Sequence, residues 1–378
     1  MKAQTLLFAG ALASMIATGC GRNQSCTSDV ETLGTVETRD SMLQGIVEDV
    51  MDEAAGQPGF IDGLVIVMDV ETGDLKAMTS ERQRADTIIK SKDLIQSSMK
   101  QSLPPADINK IASLMVALED GKVTMDMMVD TDNGERMFYG QQMKDDVRGL
   151  GIVDLRTILL RNSSVGFANV MEQAYSYEPE KLVEGLERVG MVIPLKYERY
   201  NSSKRDMDEM MEGEGIHPAW KAVGYQSWTS SMHTCAFFNG IANGGRMVAP
   251  REQVAILKDS CQHEALPIVL REQMCQAETL EKVRDILSSV IGDEQGLGRE
   301  AQCNGFRTSG FASTVTNGKN SDGSAKSYML TFCGYFPSDN PRYTCLVGLH
   351  TKERSASGWS QTARMFKQIA EGIMERRN

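Results

Sequence analysis

The stretch PPADINKIASLMVALE, residues 104–119, decides how the rest of the chain is read. It opens on a Pro-Pro break and places the short acceptor Asp107 where a helix N-cap belongs. Ile108, Ile111, Ala112, Met115 and Leu118 then recur at helical spacing. The pattern predicts a buried helix that ends near Asp120-Gly121. Asp107 and Lys110 stand three residues apart and so share one face of its first turn, a position suited to a nucleophile and its base. Two readings follow: a catalytic pair, or an N-cap aspartate paired with a lysine.

Working outward, the run GLVIVMDV from Gly63, the turn Glu71-Thr72-Gly73-Asp74 and the run Leu75 to Met78 predict a β-hairpin. Ahead of it, Ser41 to Ala55 has helical spacing through Met42, Ile46, Val47, Val50 and Met51. Residues 80–100 read as a polar lead into the central helix, and residues 200–217, rich in Met and Glu, as an exposed loop. Further helices are expected over residues 153–160, 167–175, 230–240 and 280–291, with a tight turn at Ala242-Asn-Gly-Gly-Arg246. Residues 328–335 and 343–349 are rich in β-branched and aromatic residues and predict two strands joined by a Pro-bounded turn. A last helix follows over 360–374. Hairpins near both ends with helices between imply an α/β domain of α+β type, an antiparallel sheet from both chain ends packed by helices, over residues 59–378.

The 378 residues carry a net charge of -11, which together with the lack of any Lys/Arg block excludes a nucleic-acid partner. At the N-terminus Lys2, an apolar core from Leu6 to Ile16 and small residues up to Cys20 form an export signal over residues 1–20. Ala17-Thr18-Gly19-Cys20 resembles a bacterial lipoprotein box, with Cys20 as the lipidation site; Ala11-Leu12-Ala13 offers an ordinary cleavage site instead. Either way the expected location is outside the cytoplasm, in the cell envelope or periplasm. Residues 21–58 would form a polar tether to about residue 40, then the first helix. If Cys20 is lipidated, seven of the eight cysteines remain, an odd number that no fully paired framework fits. Cys333 and Cys345 fall on two neighbouring strands, where they either face each other or serve as small buried hydrophobes. His217, His233, His263 and His350 show no ligand spacing, so neither a metal nor a cofactor is expected.

From Gly63 onward the chain resembles the transpeptidase domain of penicillin-binding proteins, relatives of the serine β-lactamases. The likeness rests on GLVIVMDVETGDLKAM, on the helix from Lys110 to Glu119, on FFNGIANGGRMVAP, on GLGREA and on FCGYFPSDNPRYTCLVGL. The resemblance implies acyl transfer on peptidoglycan stem peptides through the motifs S-x-x-K, S-x-N and K-T-G. In it the first serine attacks, the lysine and a second serine move protons, and the third motif holds substrate.

All three motifs are altered. The first aligns at Asp107-Ile108-Asn109-Lys110, so the serine position is an aspartate. The second aligns at Asn162-Ser163-Ser164, and Ser163 is either a surviving motif residue or a helix N-cap. The third aligns at Thr308-Ser309-Gly310 with Ala312 following, so its basic residue is a threonine, and Arg307 is one residue out of phase on a strand. The resemblance makes Asn162, Ser164, Thr308, Ser309, Gly310 and Ala312 the substrate-binding positions. A carboxylate attacking an amide would form an anhydride, which collapses backward because the carboxylate leaves more readily than the amine. Loss of the nucleophile alone costs about 10⁶ in rate in a comparable serine hydrolase. Ser97-Ser98-Met99-Lys100 is a literal S-x-x-K placed before the Pro-Pro break, which makes Ser97 and Lys100 an alternative nucleophile and base. The expectation is a protein linked to peptidoglycan assembly that acts by binding a stem peptide, a β-lactam or cell-wall synthesis proteins, membrane-held by lipid. The alternative is an active serine D,D-transpeptidase or carboxypeptidase.

Overall fold

A computed structural model describes residues 31–100, 102–103, 105–146, 148–191, 217–225, 227, 229–258, 263–320, 325–353 and 359–377. The export signal, Cys20 and the loop read at 200–216 lie outside the described residues.

The sheet at the centre has six strands. In chain order the main strands are β1 (Glu31–Glu37), β2 (Phe60–Asp69), β3 (Leu75–Arg84), β4 (Thr87–Lys90), β5 (Gln253–Lys258), β6 (Ser309–Lys319), β7 (Ala325–Phe336) and β8 (Tyr343–Thr351). The central sheet runs β6-β7-β8-β2-β3-β4 with every pairing antiparallel. Its middle is the pairing of β8 with β2, so the two ends of the chain meet there, as the apolar runs at both ends predict. Both strands are buried on both faces, which explains why they read as continuous apolar runs rather than as alternating ones. The first hairpin turns on Asp69, whose side chain accepts from the Thr72 amide and hydroxyl at 2.8 Å each, and on Gly73 at φ 77°.

The helices are α1 (Ser41–Ala55), α2 (Lys92–Lys100), α3 (Asn109–Glu119), α4 (Leu155–Leu160), α5 (Ser164–Tyr175), α6 (Pro179–Arg188), α7 (Pro218–Ala222), α8 (Ser231–Ala242), α9 (Ala277–Gly292) and α10 (Ser360–Arg377). Asp40 caps α1 by accepting from the amides of Met42 and Leu43. Helices α1 and α10 pack on each other and on the sheet, α10 against β7 and β8. Helix α8 packs against β7, β8 and β2 and also meets α9. Helix α3, buried along nearly its whole length, lies among α5, α6, α7 and α9. With the three 3₁₀ residues that precede it, it is therefore the core of the helical half.

Three expectations need correction. The stretch read as a tether to residue 40 contains β1, which pairs with β5. The polar stretch 80–100 is not an irregular lead: β3 continues to Arg84, β4 returns beside it, and α2 follows. Polar side chains are tolerated there because this is the edge of the sheet, with solvent on one side. The helix read over 153–160 begins at Leu155, capped by Asp154, and Ile152–Asp154 is a short strand.

One buried charge stands out at that edge. Glu81 on β3 is fully buried and lies 2.9 Å from the Lys90 ammonium, which also bonds Asp52 on α1. Burial pushes the Glu81 carboxyl above its ordinary value against the pull of Lys90. A carboxyl raised on folding adds stability below its unfolded value and loses it as pH rises through its folded value. Asp52 is shifted down, chiefly by its bond to Lys90, so its contribution fades only in more acid solution. Glu81→Gln should therefore gain on the wild type as pH rises from about 4 to about 7, read as the difference in urea midpoint. A difference independent of pH would refute this account.

Candidate functional site

The site forms where three backbone segments meet: the turn before α3, the turn before α5, and the start of β6. Asp107 is not an N-cap. It sits in a 3₁₀ turn, Ala106–Ile108, and the residue before α3 is Ile108, which makes no side-chain cap bond. The carboxylate turns instead to Lys110, Oδ1 to Nζ at 2.8 Å. An N-cap needs an acceptor aimed at the amides of the first turn; here the buried ammonium competes successfully for that acceptor, because a charge-assisted bond is the stronger.

Lys110 is fully buried at its side chain, and three side chains surround its ammonium. Besides Asp107, Asn162 Oδ1 accepts at 2.7 Å and Ser164 Oγ at 2.9 Å, with the Asn162 carbonyl at 3.3 Å. A lysine carries three N–H donors and no acceptor, so three close acceptors match its capacity. Ser164 in turn donates to Asp107 Oδ1 at 3.3 Å, which closes the ring of contacts.

Asn162 reaches Lys110 from a left-handed backbone at φ 50°, a conformation asparagine tolerates better than most residues. Ser163 points the other way. Its hydroxyl caps α5 by accepting from the Gly166 amide at 2.9 Å and donates to Asp145 at 2.5 Å. Asp145 also accepts from the Ser164 amide at 2.7 Å and the Val165 amide at 2.9 Å. Of the two readings of Ser163 the geometry is that of the N-cap. Asp145, buried and bonded to three successive residues, fixes the whole turn.

On the other flank, β6 packs against the 3₁₀ turn that holds Asp107. The hydroxyl of Thr308, which stands at the basic position of the third motif, donates to the Ala301 carbonyl at 2.9 Å. Ser309 shares a hydrogen bond with Ser338 at 2.7 Å. Arg307 turns away to Ser288 at 2.6 Å and to Asp339 at 3.5 Å, as a one-residue offset requires. Gly310 pairs with Gly334, where a Cβ would stand 2.7 Å from the Phe332 ring, and Ala312 is buried opposite Phe332. The structure thus brings Asp107, Lys110, Asn162 and Ser164 into direct contact and places the third-motif strand alongside. Ser97 sits elsewhere, on α2, with its hydroxyl given to the Leu94 carbonyl at 2.9 Å. The side chain of Lys100 is not among the described ones.

Helix α7 supports the site from below. Its last carbonyls accept from α3: Lys221 O from Asn109 Nδ2 at 2.7 Å, beside the Gly224 amide at 3.0 Å, and Ala222 O from Ser113 Oγ at 3.2 Å. Burial pulls the Lys221 ammonium down to about 8. Beyond α7, burial and then the Asp107 and Asp146 carboxylates push the Tyr225 phenol up to about 12. None of Lys221, Tyr225 and Asp146 was marked by the motif alignment.

A family model described as the penicillin binding protein transpeptidase domain matches residues 63–371. The chain belongs to that family. It is 24% identical to the penicillin-binding protein PbpB of Mycolicibacterium smegmatis over 95% of this chain and 57% of that protein. It is 25% identical to the stage V sporulation protein D of Bacillus subtilis over 82% of this chain and 49% of that one. The chain thus spans about half the length of these curated relatives. Among solved structures it resembles the apo transpeptidase domain of Burkholderia pseudomallei penicillin-binding protein 3, with TM-score 0.71 and 20% identity, over 90% of this chain and 96% of that one. Mycobacterial penicillin-binding protein 3, in its apo form, gives TM-score 0.73 at 22% identity, over 94% of this chain and 82% of that one. These likenesses agree with the antiparallel sheet and helical half described above.

Two substitutions test this geometry. Gly224 lies at φ 83°, and a Cβ there would stand 2.4 Å from the Ala106 carbonyl oxygen and 2.6 Å from its amide nitrogen. Backbone cannot move aside as a flexible side chain can, so Gly224→Ala should cost about 2–4 kcal/mol in urea unfolding, and its crystal structure should show the Asp107 turn displaced. Asp145→Ala leaves the hydroxyl of Ser163 and two amides without their acceptor and should cost about 1–3 kcal/mol in urea unfolding.

Proposed function

We propose that this chain is a cell-envelope protein of peptidoglycan assembly that binds a ligand or partner through the transpeptidase fold without performing acyl transfer. The reading is supported above all by the Asp107–Lys110 ion pair at 2.8 Å, at the position where the motif requires a serine. Acyl transfer needs a nucleophile whose acyl intermediate is stable enough to meet the second substrate, and a base with a lone pair free to take the proton. Asp107 would form an anhydride that reverts. Lys110 donates toward Asp107, Asn162 and Ser164 instead of accepting from a nucleophile.

The ligands this reading carries are those of the fold: a peptidoglycan stem peptide, or a β-lactam held without a covalent bond. Cell-wall synthesis proteins are the macromolecular partners. The N-terminal sequence supports export, with Cys20 as the lipid-bearing residue and the membrane as its anchor. Among the described residues no helix is long and apolar enough to cross a membrane.

Labelling with a fluorescent penicillin tests the reading directly. Wild-type protein should carry no covalent adduct after denaturing electrophoresis. Asp107→Ser should not acquire one either, because Asn162 and Thr308 still stand where the second serine and the basic residue of the motifs belong. An adduct on the wild type would overturn the reading, and its disappearance in Ser97→Ala would identify an active enzyme that uses the other S-x-x-K. Calorimetric titration with a muropeptide then measures binding without acylation.

A further inference from the structure

Two thiols meet between α8 and the central sheet. On β8, Thr344 donates to Asn239 Oδ1 of α8 at 2.8 Å, so the face of the sheet that carries Thr344 looks toward α8. Thr344 pairs with Tyr335 across the β7–β8 ladder, and directly paired residues share a face. Cys333, two residues from Tyr335, therefore points to the same face. Cys235 lies four residues before Asn239 and so on the same side of the helix. The two cysteines are fully buried at this junction. Helix and strand are close enough for Cα atoms of α8 and β7 to approach within 8 Å, and a disulfide spans about 4.4–6.8 Å between Cα atoms.

Among the described residues, the other cysteines do not compete for this position. The ladder pairs Cys333 with Leu346 and Cys345 with Gly334, so Cys345 points to the opposite face; of the two readings of this pair, that of facing each other is excluded by the one-residue offset. Cys303 lies against the Ala301 and Lys367 carbonyls, and Cys275 precedes α9.

We propose that Cys235 and Cys333 close a disulfide that staples α8 to the central strand β7 when the chain folds in an oxidising compartment. The inference rests on the reading that the chain is exported. The oxidant is a disulfide carrier of the envelope. A thiolate of one cysteine attacks its S–S bond, forming a mixed disulfide and releasing one carrier thiol. The second cysteine attacks the protein sulfur of that mixed disulfide and releases the other carrier thiol. The protein loses two protons and two electrons, and both reappear on the reduced carrier. Burial, followed by the Cys235 thiol, pushes the Cys333 thiol well above its ordinary value, so the closed fold withholds the thiolate that exchange needs. The bond therefore forms before α8 seats on the sheet, and the seated helix then shields it from reductant.

The test is to unfold the full chain under reducing conditions, refold it with excess oxidised glutathione, block free thiols with iodoacetamide under denaturing conditions, and map peptides by mass spectrometry. The expected result is a cross-linked pair containing Cys235 and Cys333, with a urea midpoint higher than that of the same protein refolded in dithiothreitol. Cys333→Ala should abolish both the link and the midpoint difference; if that variant does not fold, Cys235→Ala supplies the same control from the helix side. Alkylation of both cysteines in the oxidised sample, or a link from Cys333 to any other cysteine, would overturn the proposal. The readout depends neither on export nor on acylation, so its failure is distinguishable from a failure of the functional reading.

Discussion

A lysine ammonium buried away from water must be compensated on every side, and the arrangement around Lys110 follows from that constraint. Asp107 supplies the countercharge, while Asn162 and Ser164 supply the other two acceptors. Removing one partner from a buried ion pair costs about 3–5 kcal/mol, because the remaining charge is left without compensation. The ammonium thereby ties the start of α3 to the turn before α5, two segments more than fifty residues apart in the chain. A residue that the motif would use to move protons becomes a cross-link between the elements of the helical half.

The cross-link demands unusual backbone on both sides. Ala106, next to Asp107, lies at φ 44° and Asn162 at φ 50°. Neither is glycine, and left-handed backbone of this kind persists only where its surroundings over-determine it. On the first side the constraint is Gly224, pressed against the Ala106 backbone where only a hydrogen fits. On the second it is Asp145, which grips the hydroxyl of Ser163 and the amides of Ser164 and Val165. Helix α7 ties the first support to α3, since the same short segment that leads to Gly224 also accepts hydrogen bonds from Asn109 and Ser113.

Much of this was legible in the sequence, and what was not has physical causes. The strands at both chain ends were readable because burial on both faces demands unbroken apolar runs, and α1 was readable to its exact ends because Asp40 caps it and apolar residues recur at its buried face. Strand β4 escaped because an edge position permits polar side chains and so erases the periodicity. At the site, the pairing of Asp107 with Lys110 followed from their spacing, whereas the cap role assigned to Asp107 failed because local rules for helix ends do not count a buried cation as a competitor. Asp145 was invisible for a different reason: its partners at 163–165 are close in space through a loop whose path no local pattern encodes. The register between Cys333 and Cys345 was likewise beyond a reading of composition, since a single residue of offset reverses the faces.

The order of residues in the second motif connects structure to the proposed loss of chemistry. Where the motif has a hydroxyl and then an amide, this chain has Asn162 and then Ser164, and both still reach Lys110. As an acceptor for an ammonium, an amide oxygen and a hydroxyl oxygen are nearly interchangeable, so the network that holds the fold together tolerates the exchange. Proton shuttling does not, because an amide oxygen at Asn162 has no proton to give and take at the pH of a cell. A carboxylate at position 107 extends the same logic: it improves the compensation of the buried lysine while supplying the wrong nucleophile. Each of these substitutions is favourable or neutral for a lysine that serves as a structural cation and damaging for one that serves as a base, and their joint presence around one ammonium is what the proposed binding role rests on.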